Sequence, residues 1–209
     1  MREFERWQAF WKTARAQGEA MEFFSALDVR YREPQRYYHT WDHVLDCLAE
    51  LERVKNLCVD PVAVEMAVWY HDAVYAPGAQ DNEAKSAALA RQAAVRMGLP
   101  PAQADEIWAL VSATGHAQAP PGGPYRQDLE VLLDIDLAIL GRGEEDFAAY
   151  EHKIRREYGF LCEASYRRAR RQVLESFLSR PRLYLTAWLR KHYEARARRN
   201  LIAALERLS

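Results

Sequence analysis

The chain has 209 residues, of which 49% are hydrophobic and 28% charged, an ordinary composition for a globular protein with one large core. Its net charge of -1 does not suggest a polyanion partner, and its three scattered cysteines argue against a disulfide framework or a zinc knuckle. It lacks an apolar run long enough to span a bilayer and a signal-peptide pattern, so we expect a cytoplasmic protein that does not enter a membrane.

Helical periodicity dominates the chain and predicts an all-α protein. One helix covers the aromatic N-terminus and a second follows Gly18, until Pro34 disfavours helix in the residue before it. A long helix is predicted over 40–57, and Asp60-Pro61 is a favourable start for the next, which ends with His71-Asp72. The remaining helices are predicted over 82–97, 100–114, 126–140, 143–159, 163–179 and 186–208.

The charge is unevenly distributed along the sequence. Residues 1–150 hold 14 Lys and Arg against 24 Asp and Glu, whereas residues 151–209 hold 15 against 6. The basic part could steer a phosphorylated substrate, or it could be a solvated helix surface. The loop at 119–124 is short, so we predict a single domain over 1–209 with the Arg-rich helical part 151–209 packed on it.

The most informative feature is His71-Asp72, which ends the apolar stretch 62–70. Burying a carboxylate beside an imidazole is costly unless something compensates, and a metal ion that takes both as ligands does so. Upstream, His39 and His43 are one helical turn apart, but the break at Pro34 places His39 at or before the helix start, so one of them ligates and the other points into the cavity.

A second acidic pair lies downstream in the apolar run 131–140. Asp134 and Asp136 would be on nearly opposite sides of a helix, so only one should ligate. Asp136 looks like the start of a packed helix, and Asp134 would then cap that helix or orient a ligand without binding the ion. The predicted ligands are His43, His71, Asp72 and Asp136, a set that suits one divalent ion without distinguishing Mn, Mg, Fe, Co, Ni and Zn.

The order of these residues is His, then His-Asp, then Asp, within an all-helical chain. Several strings around them carry a family resemblance: Tyr38-His39-Thr40-Trp41-Asp42-His43, Trp69-Tyr70-His71-Asp72, Asp81-Asn82-Glu83-Ala84-Lys85-Ser86-Ala87, Asp134-Ile135-Asp136-Leu137, Tyr193-Glu194 and Arg198-Arg199-Asn200-Leu201. With them the chain resembles the HD superfamily of metal-dependent phosphohydrolases, in particular its small bacterial single-domain members. The resemblance covers most of the chain and implies an HD-type helical bundle with the metal site between central helices.

The resemblance also implies roles for side chains near the ligands. His39 matches the position of an acid in related cyclic-nucleotide phosphodiesterases, and Glu83 matches an acidic residue that some members use. Each has a plainer interpretation, as a surface histidine and as a glutamate in the first turn of a helix. His116 is a further active-site histidine that binds substrate, a ligand to a second metal, or a residue that only interacts with a helix C-terminus.

Asp72 or Glu83 is expected to orient or deprotonate water, and Lys85 and Arg198 to contact phosphate. Arg198 could instead pair with Glu194, four residues earlier. The chain lacks the additional histidines of two-metal members. It also lacks the acidic pair that follows His-Asp in alarmone hydrolases, because 73–76 reads Ala-Val-Tyr-Ala.

These features predict a metal-dependent phosphohydrolase acting on a small phosphoester, with a nucleotide favoured. Phosphomonoesterase, phosphodiesterase and pyrophosphohydrolase activities are not distinguished. The alternative is a metal- and nucleotide-binding regulatory module with little or no turnover. A nucleic-acid partner is not expected, because Tyr166, Tyr184 and Tyr193 are at core spacing rather than placed for stacking. A homodimer is left open.

Overall fold

The computed structural model describes residues 2–115 and 125–208, and over these residues the regular structure is helical, without strands. The predicted all-α class is therefore confirmed. Short 3-10 segments follow α3 at Lys55–Leu57 and α7 at Leu137–Gly141. The helices are α1 (Arg2–Thr13), α2 (Ala20–Tyr31), α3 (Trp41–Val54), α4 (Pro61–Tyr70), α5 (Asn82–Arg96), α6 (Pro101–Ser112), α7 (Arg126–Asp136), α8 (Glu144–Glu157), α9 (Glu163–Leu178) and α10 (Ala187–Arg207).

The start of α4 follows the predicted capping chemistry. The Asp60 side chain accepts hydrogen bonds from the backbone N–H groups of Val62 and Ala63 at 3.0 and 2.9 Å, and Pro61 takes the first helical position. This cap satisfies two donors that a helix start otherwise leaves without partners, and Pro61 lacks the third. The register of α4, and with it the position of His71 at its end, is thus set by local sequence.

The chain divides into two compact units, Met1–Leu132 and Leu133–Ser209. In the first unit α4 packs against α1, α3, α5 and α6. Every residue of α4 from Ala63 to Tyr70 is buried, and apart from Glu65, which pairs with Lys55 at 3.2 Å, these residues are apolar or aromatic on all sides of the helix. Each large apolar side chain buried there stabilises the fold by roughly 1.5–3 kcal/mol. The Tyr31 hydroxyl donates to the carbonyl oxygen of Trp69 at 3.0 Å and so ties α2 to α4.

The second unit contains α8, α9 and α10, with α10 packed on the 3-10 segment Leu137–Gly141 and on α9. The Asn200 amide donates to the carbonyl oxygens of Leu140 and Arg142 at 2.8 and 3.0 Å. Tyr166, Tyr184 and Tyr193 are buried, as their core spacing predicts.

The prediction of a single domain over 1–209, with 151–209 packed on the rest, stays a prediction. None of the helices in the described parts of the chain is both long enough and apolar enough to cross a membrane.

Candidate metal centre

Two buried imidazoles face each other between α3 and the end of α4. His43 lies in the first turn of α3, and His71 is the first residue after α4. Their Nε2 atoms are 3.0 Å apart, and their side chains are only 3% and 2% exposed. Ligands of one ion with bonds of about 2.0–2.2 Å lie roughly 2.9–3.4 Å from each other. The separation therefore fits two ligands of a single ion.

The tautomer of His71 is fixed by its own helix. Its Nδ1 lies 2.9 Å from the carbonyl oxygen of Val68, and because a carbonyl only accepts, Nδ1 carries the proton and donates. In the neutral ring the lone pair is then on Nε2, the atom that faces His43. A hydrogen bond from the other ring nitrogen to a backbone carbonyl is the usual way in which proteins orient a histidine ligand.

Asp72 adds a carboxylate to the two imidazoles. Its Oδ2 lies 2.9 Å from Nε2 of His71 and 3.5 Å from Nε2 of His43, and its side chain is 19% exposed. Because α4 ends at Tyr70, neighbouring residues 71 and 72 turn toward one point beyond the helix end, which is the arrangement that adjacent ligands require. The open side of the cluster therefore lies at Asp72.

Lone pairs of the imidazole nitrogens and of the Asp72 carboxylate lie close together in this cluster. Burial raises the pKa of the Asp72 carboxyl, but positive charge on His71, His39 and His43 outweighs burial and holds that pKa below its ordinary value. With Nδ1 of His71 committed to Val68, its Nε2 lone pair and the Asp72 carboxylate face each other at 2.9 Å. A proton, either added to His71 or donated from Nε2 of His43 at 3.0 Å, or a cation relieves the repulsion between these lone pairs. The donor set of these residues fits a divalent cation.

His39 lies beside the cluster but outside α3, which begins at Trp41. Its ring stacks on that of Tyr75 with centroids 4.1 Å apart and meets the ring of His43 edge-on at 5.9 Å. The expectation that His39 precedes the helix while His43 lies within it is confirmed. Its ring is partly exposed, and its role as an acid stays a prediction.

Arg36 holds this region together, although the sequence prediction missed it. Its buried guanidinium donates to the carbonyl oxygens of His39 at 3.1 Å, Asp72 at 2.6 Å and Ala73 at 3.2 Å. It also lies over the ring of Tyr75, with Cζ 5.5 Å from the centroid. One side chain thus joins the segment before α3 to the turn after α4. No local motif indicates it, since two of its partners are 36 and 37 residues away in the sequence.

Cys47 is the second site residue that the sequence prediction missed. It lies one turn after His43 on α3, and its Sγ is 3.7 Å from Nδ1 and 3.8 Å from Nε2 of that ring. One donor atom from each of His43, Cys47 and His71 lies within 4.8 Å of the others. The signal was present, because 39, 43 and 47 follow each other at i,i+4 spacing.

The downstream aspartates belong to the second unit. Asp136 is partly buried, ends α7 and is the N-cap of the packed 3-10 segment Leu137–Gly141, so the helix expected to start at Asp136 is a short 3-10 helix that continues α7. The helical period continues upstream through Arg126, and the chain after Asp136 tightens into a 3-10 segment. Asp136 stays a predicted ligand.

Asp134 lies within α7, so the suggestion that it caps the helix beginning at Asp136 is wrong. Its two carboxylate oxygens each accept a hydrogen bond of 2.7 Å from the backbone N–H groups of Leu185 and Thr186. It thereby anchors the start of α10. Its predicted role in orienting a ligand stays a prediction.

The other predicted site residues are placed as follows. Glu83 lies in the first turn of α5 and close to Gly115: a Cβ added to Gly115 would be 3.5 Å from Cδ of Glu83. Lys85 forms an exposed ion pair of 2.7 Å with Asp81. Arg198 pairs with Glu194 at 2.8 Å, as the plainer interpretation expected, and donates to the carbonyl oxygens of Leu178 and Arg180. His116 lies outside the described residues.

Comparison of the chain with protein-family models, with curated proteins and with solved structures finds no match.

Proposed function

We propose that this protein is a divalent-metal-dependent phosphohydrolase that acts on a small phosphoester, with a nucleotide as the favoured substrate. The observation that carries the proposal is the convergence of Nε2 of His43, Nε2 of His71 and Oδ2 of Asp72, each within 3.5 Å of the other two. The phosphoester class rests on the order His43, His71-Asp72, Asp136 in the sequence. That order also makes Asp136 the proposed fourth ligand, which Asp136→Asn tests.

The proposed roles follow from position and chemistry. His43 and His71 hold the ion through neutral Nε2 atoms, and the Val68 carbonyl keeps His71 in the required tautomer. When bound, a divalent ion supplies a Lewis acid that polarises a phosphoryl oxygen and lowers the pKa of water. Asp72, at the open side, accepts the proton of the attacking water, with Glu83 as the other proposed base. His39 donates a proton to the leaving oxygen.

The alternative is a module that binds a metal and a nucleotide with little or no turnover. One observation favours it: Lys85 and Arg198, the cations predicted to contact phosphate, are both engaged in ion pairs. A slow or absent reaction would follow if no cationic side chain were available to neutralise charge as the phosphoryl group transfers.

The experiment is a hydrolysis screen on nucleoside mono-, di- and triphosphates, cyclic nucleotides and simple phosphomonoesters, each with Mn²⁺, Mg²⁺, Co²⁺ and Zn²⁺. The proposal predicts turnover that chelation abolishes and that His71→Ala removes with the helical content intact. His152→Ala, on the exposed face of α8, is the matched control and is expected to retain activity. Nucleotide binding without product over hours would favour the alternative, and turnover retained in His71→Ala would refute the proposed mechanism.

A further inference from the structure

Cys47 places a sulfur atom beside the two imidazoles of the candidate metal centre. It is 3% exposed and lies on the same face of α3 as His43, one turn later. Its Sγ is 3.8 Å from Nε2 of His43, the atom that also faces His71 at 3.0 Å. Because Sγ is also 3.7 Å from Nδ1, the thiol lies against the ring of His43, and ligand atoms of His43 and His71 are within 4.8 Å of it.

These separations can be compared with those that one ion imposes. With metal–nitrogen bonds of about 2.0–2.1 Å and metal–sulfur bonds of about 2.3 Å at tetrahedral angles, two nitrogens lie roughly 3.3 Å apart and a nitrogen and a sulfur roughly 3.6 Å apart. The corresponding separations here are 3.0 Å and 3.8 Å. The nitrogen separation already fits one ion, whereas Sγ, which is also 3.7 Å from Nδ1, would reach an ion at Nε2 after rotation about the Cα–Cβ bond of Cys47.

The other interpretation of Cys47 is a small apolar side chain that fills space in the core, as buried cysteines often do. The chain offers an internal comparison, because its other cysteines are placed differently. Cys58 lies at the loop before α4, where burial and then the charge of Asp128 raise its pKa to about 12. Cys162 is exposed at the start of α9. Of the three, Cys47 is the one that lies against a ring of the candidate metal centre.

We propose that Cys47 binds the same ion as His43 and His71, as a thiolate. This inference rests on the proposed metal centre and deepens it, because it specifies the class of cofactor. A thiolate favours zinc, cobalt, iron or cadmium over the oxygen-preferring magnesium. On binding, the thiol proton passes to solvent and a sulfur–metal bond forms, so that metal uptake releases a proton and no electron is transferred.

The test titrates the apo protein with Co²⁺ alone and follows the sulfur-to-metal charge-transfer absorption in the near ultraviolet. The variants are Cys47→Ser and Cys47→Ala, with Cys58→Ser and Cys162→Ser as matched controls. Wild type and both controls are expected to show the band at one ion per chain, and both Cys47 variants to lack it. Circular dichroism establishes that each variant keeps its helical content.

The affinities provide a second readout. In competition titrations, the affinities of Cys47→Ser for Zn²⁺ and Cd²⁺ are expected to be about tenfold or more weaker than those of the wild type. Its affinity for Mn²⁺ is expected to change little, because manganese gains less from a sulfur ligand. A wild-type protein that binds one Co²⁺ per chain without the band would overturn the role of Cys47 and leave the metal centre standing. A wild type that binds no ion would overturn both, and the two failures are thereby distinguished.

Discussion

Arg36 donates a hydrogen bond of 2.6 Å to the backbone carbonyl oxygen of Asp72 from a guanidinium that is completely buried. The same nitrogen donates to the carbonyl oxygen of His39 at 3.1 Å. Arg36 thus links the backbone of Asp72, whose carboxylate lies at the open side of the cluster, to the backbone of His39, the proposed acid. Because a guanidinium is planar and offers several donors at once, it joins two chain segments in a way that an ammonium does not.

We predict that Arg36→Lys weakens metal binding by about 10- to 100-fold, since residues that orient ligands are worth that much in other metal sites. The measurement is the dissociation constant for Zn²⁺ or Co²⁺ together with the melting temperature. Arg170→Lys is the control, because Arg170 is also buried but binds Glu151 and the Tyr150 hydroxyl in the second unit. It should lower the melting temperature without changing metal affinity. Wild-type affinity in Arg36→Lys would mean that Arg36 only supports the fold.

Glu106 makes the stability of the protein depend on pH. Burial, a hydrogen bond to Asp128 and the charges of Asp128 and Asp60 raise its pKa from 4.5 to about 8. Asp128 itself is buried and accepts hydrogen bonds from the backbone of Val59 and Asp60 at 2.6 and 2.7 Å. The folded state therefore favours a protonated Glu106 beside an ionised Asp128.

The pKa of Glu106 is higher in the folded state than in the unfolded state, and this fixes the direction in which stability changes with pH. The contribution of Glu106 is fully present below about pH 4.5, declines as the pH rises, and is lost above about pH 8. Glu106→Gln keeps a donor toward Asp128 and removes the titration, so it should flatten the fall in unfolding free energy between these values. Urea unfolding at a series of pH values measures how the free energy of unfolding changes with pH. Glu206→Gln, at an exposed position, is the control. An unchanged slope in Glu106→Gln would contradict the assignment.

Gly141 and Gly143 form a matched pair for testing the packing of the second unit. A Cβ at Gly141 would lie 2.5 Å from Cβ of Tyr193 and 3.0 Å from its Cα, whereas at Gly143 the nearest atom is an Asp146 oxygen at 3.7 Å. Gly141→Ala should therefore destabilise the fold by roughly 1–3 kcal/mol, the usual cost of overpacking, while Gly143→Ala changes stability far less. Thermal unfolding of the two variants compares them directly. Equal melting temperatures would contradict the close approach of α10 to Gly141.

The sequence was informative where the signal is local. Caps, prolines and the helical period located most helices to within a few residues, and the end of α4 placed His71 and Asp72 together. Local geometry also separated His39 from His43, since a helix that starts at Trp41 contains only the latter. These features depend on residues fewer than about ten positions apart, within the range of hydrogen bonding in a single helix.

What escaped prediction depends on contacts between distant segments. Arg36 acts through carbonyl groups, which leave no trace in side-chain identity. Asp134 binds backbone 51 and 52 residues away, so its sequence neighbourhood did not show that it anchors the start of α10. Cys47 is different, because its spacing from His43 was visible. Cysteine pairing does not reveal its position, whereas the helix face that it shares with His43 does.

The central claim is that His43, His71 and Asp72 hold a metal ion, and metal content per chain tests it most directly. Wild type, His71→Ala and His152→Ala are purified in parallel, loaded with Mn²⁺ or Zn²⁺, freed of excess ion and measured by elemental mass spectrometry. We predict about one ion per chain in wild type and in His152→Ala, and a loss of nearly all of it in His71→Ala. No retained ion in the wild type after loading, or equal retention in His71→Ala, would contradict the claim.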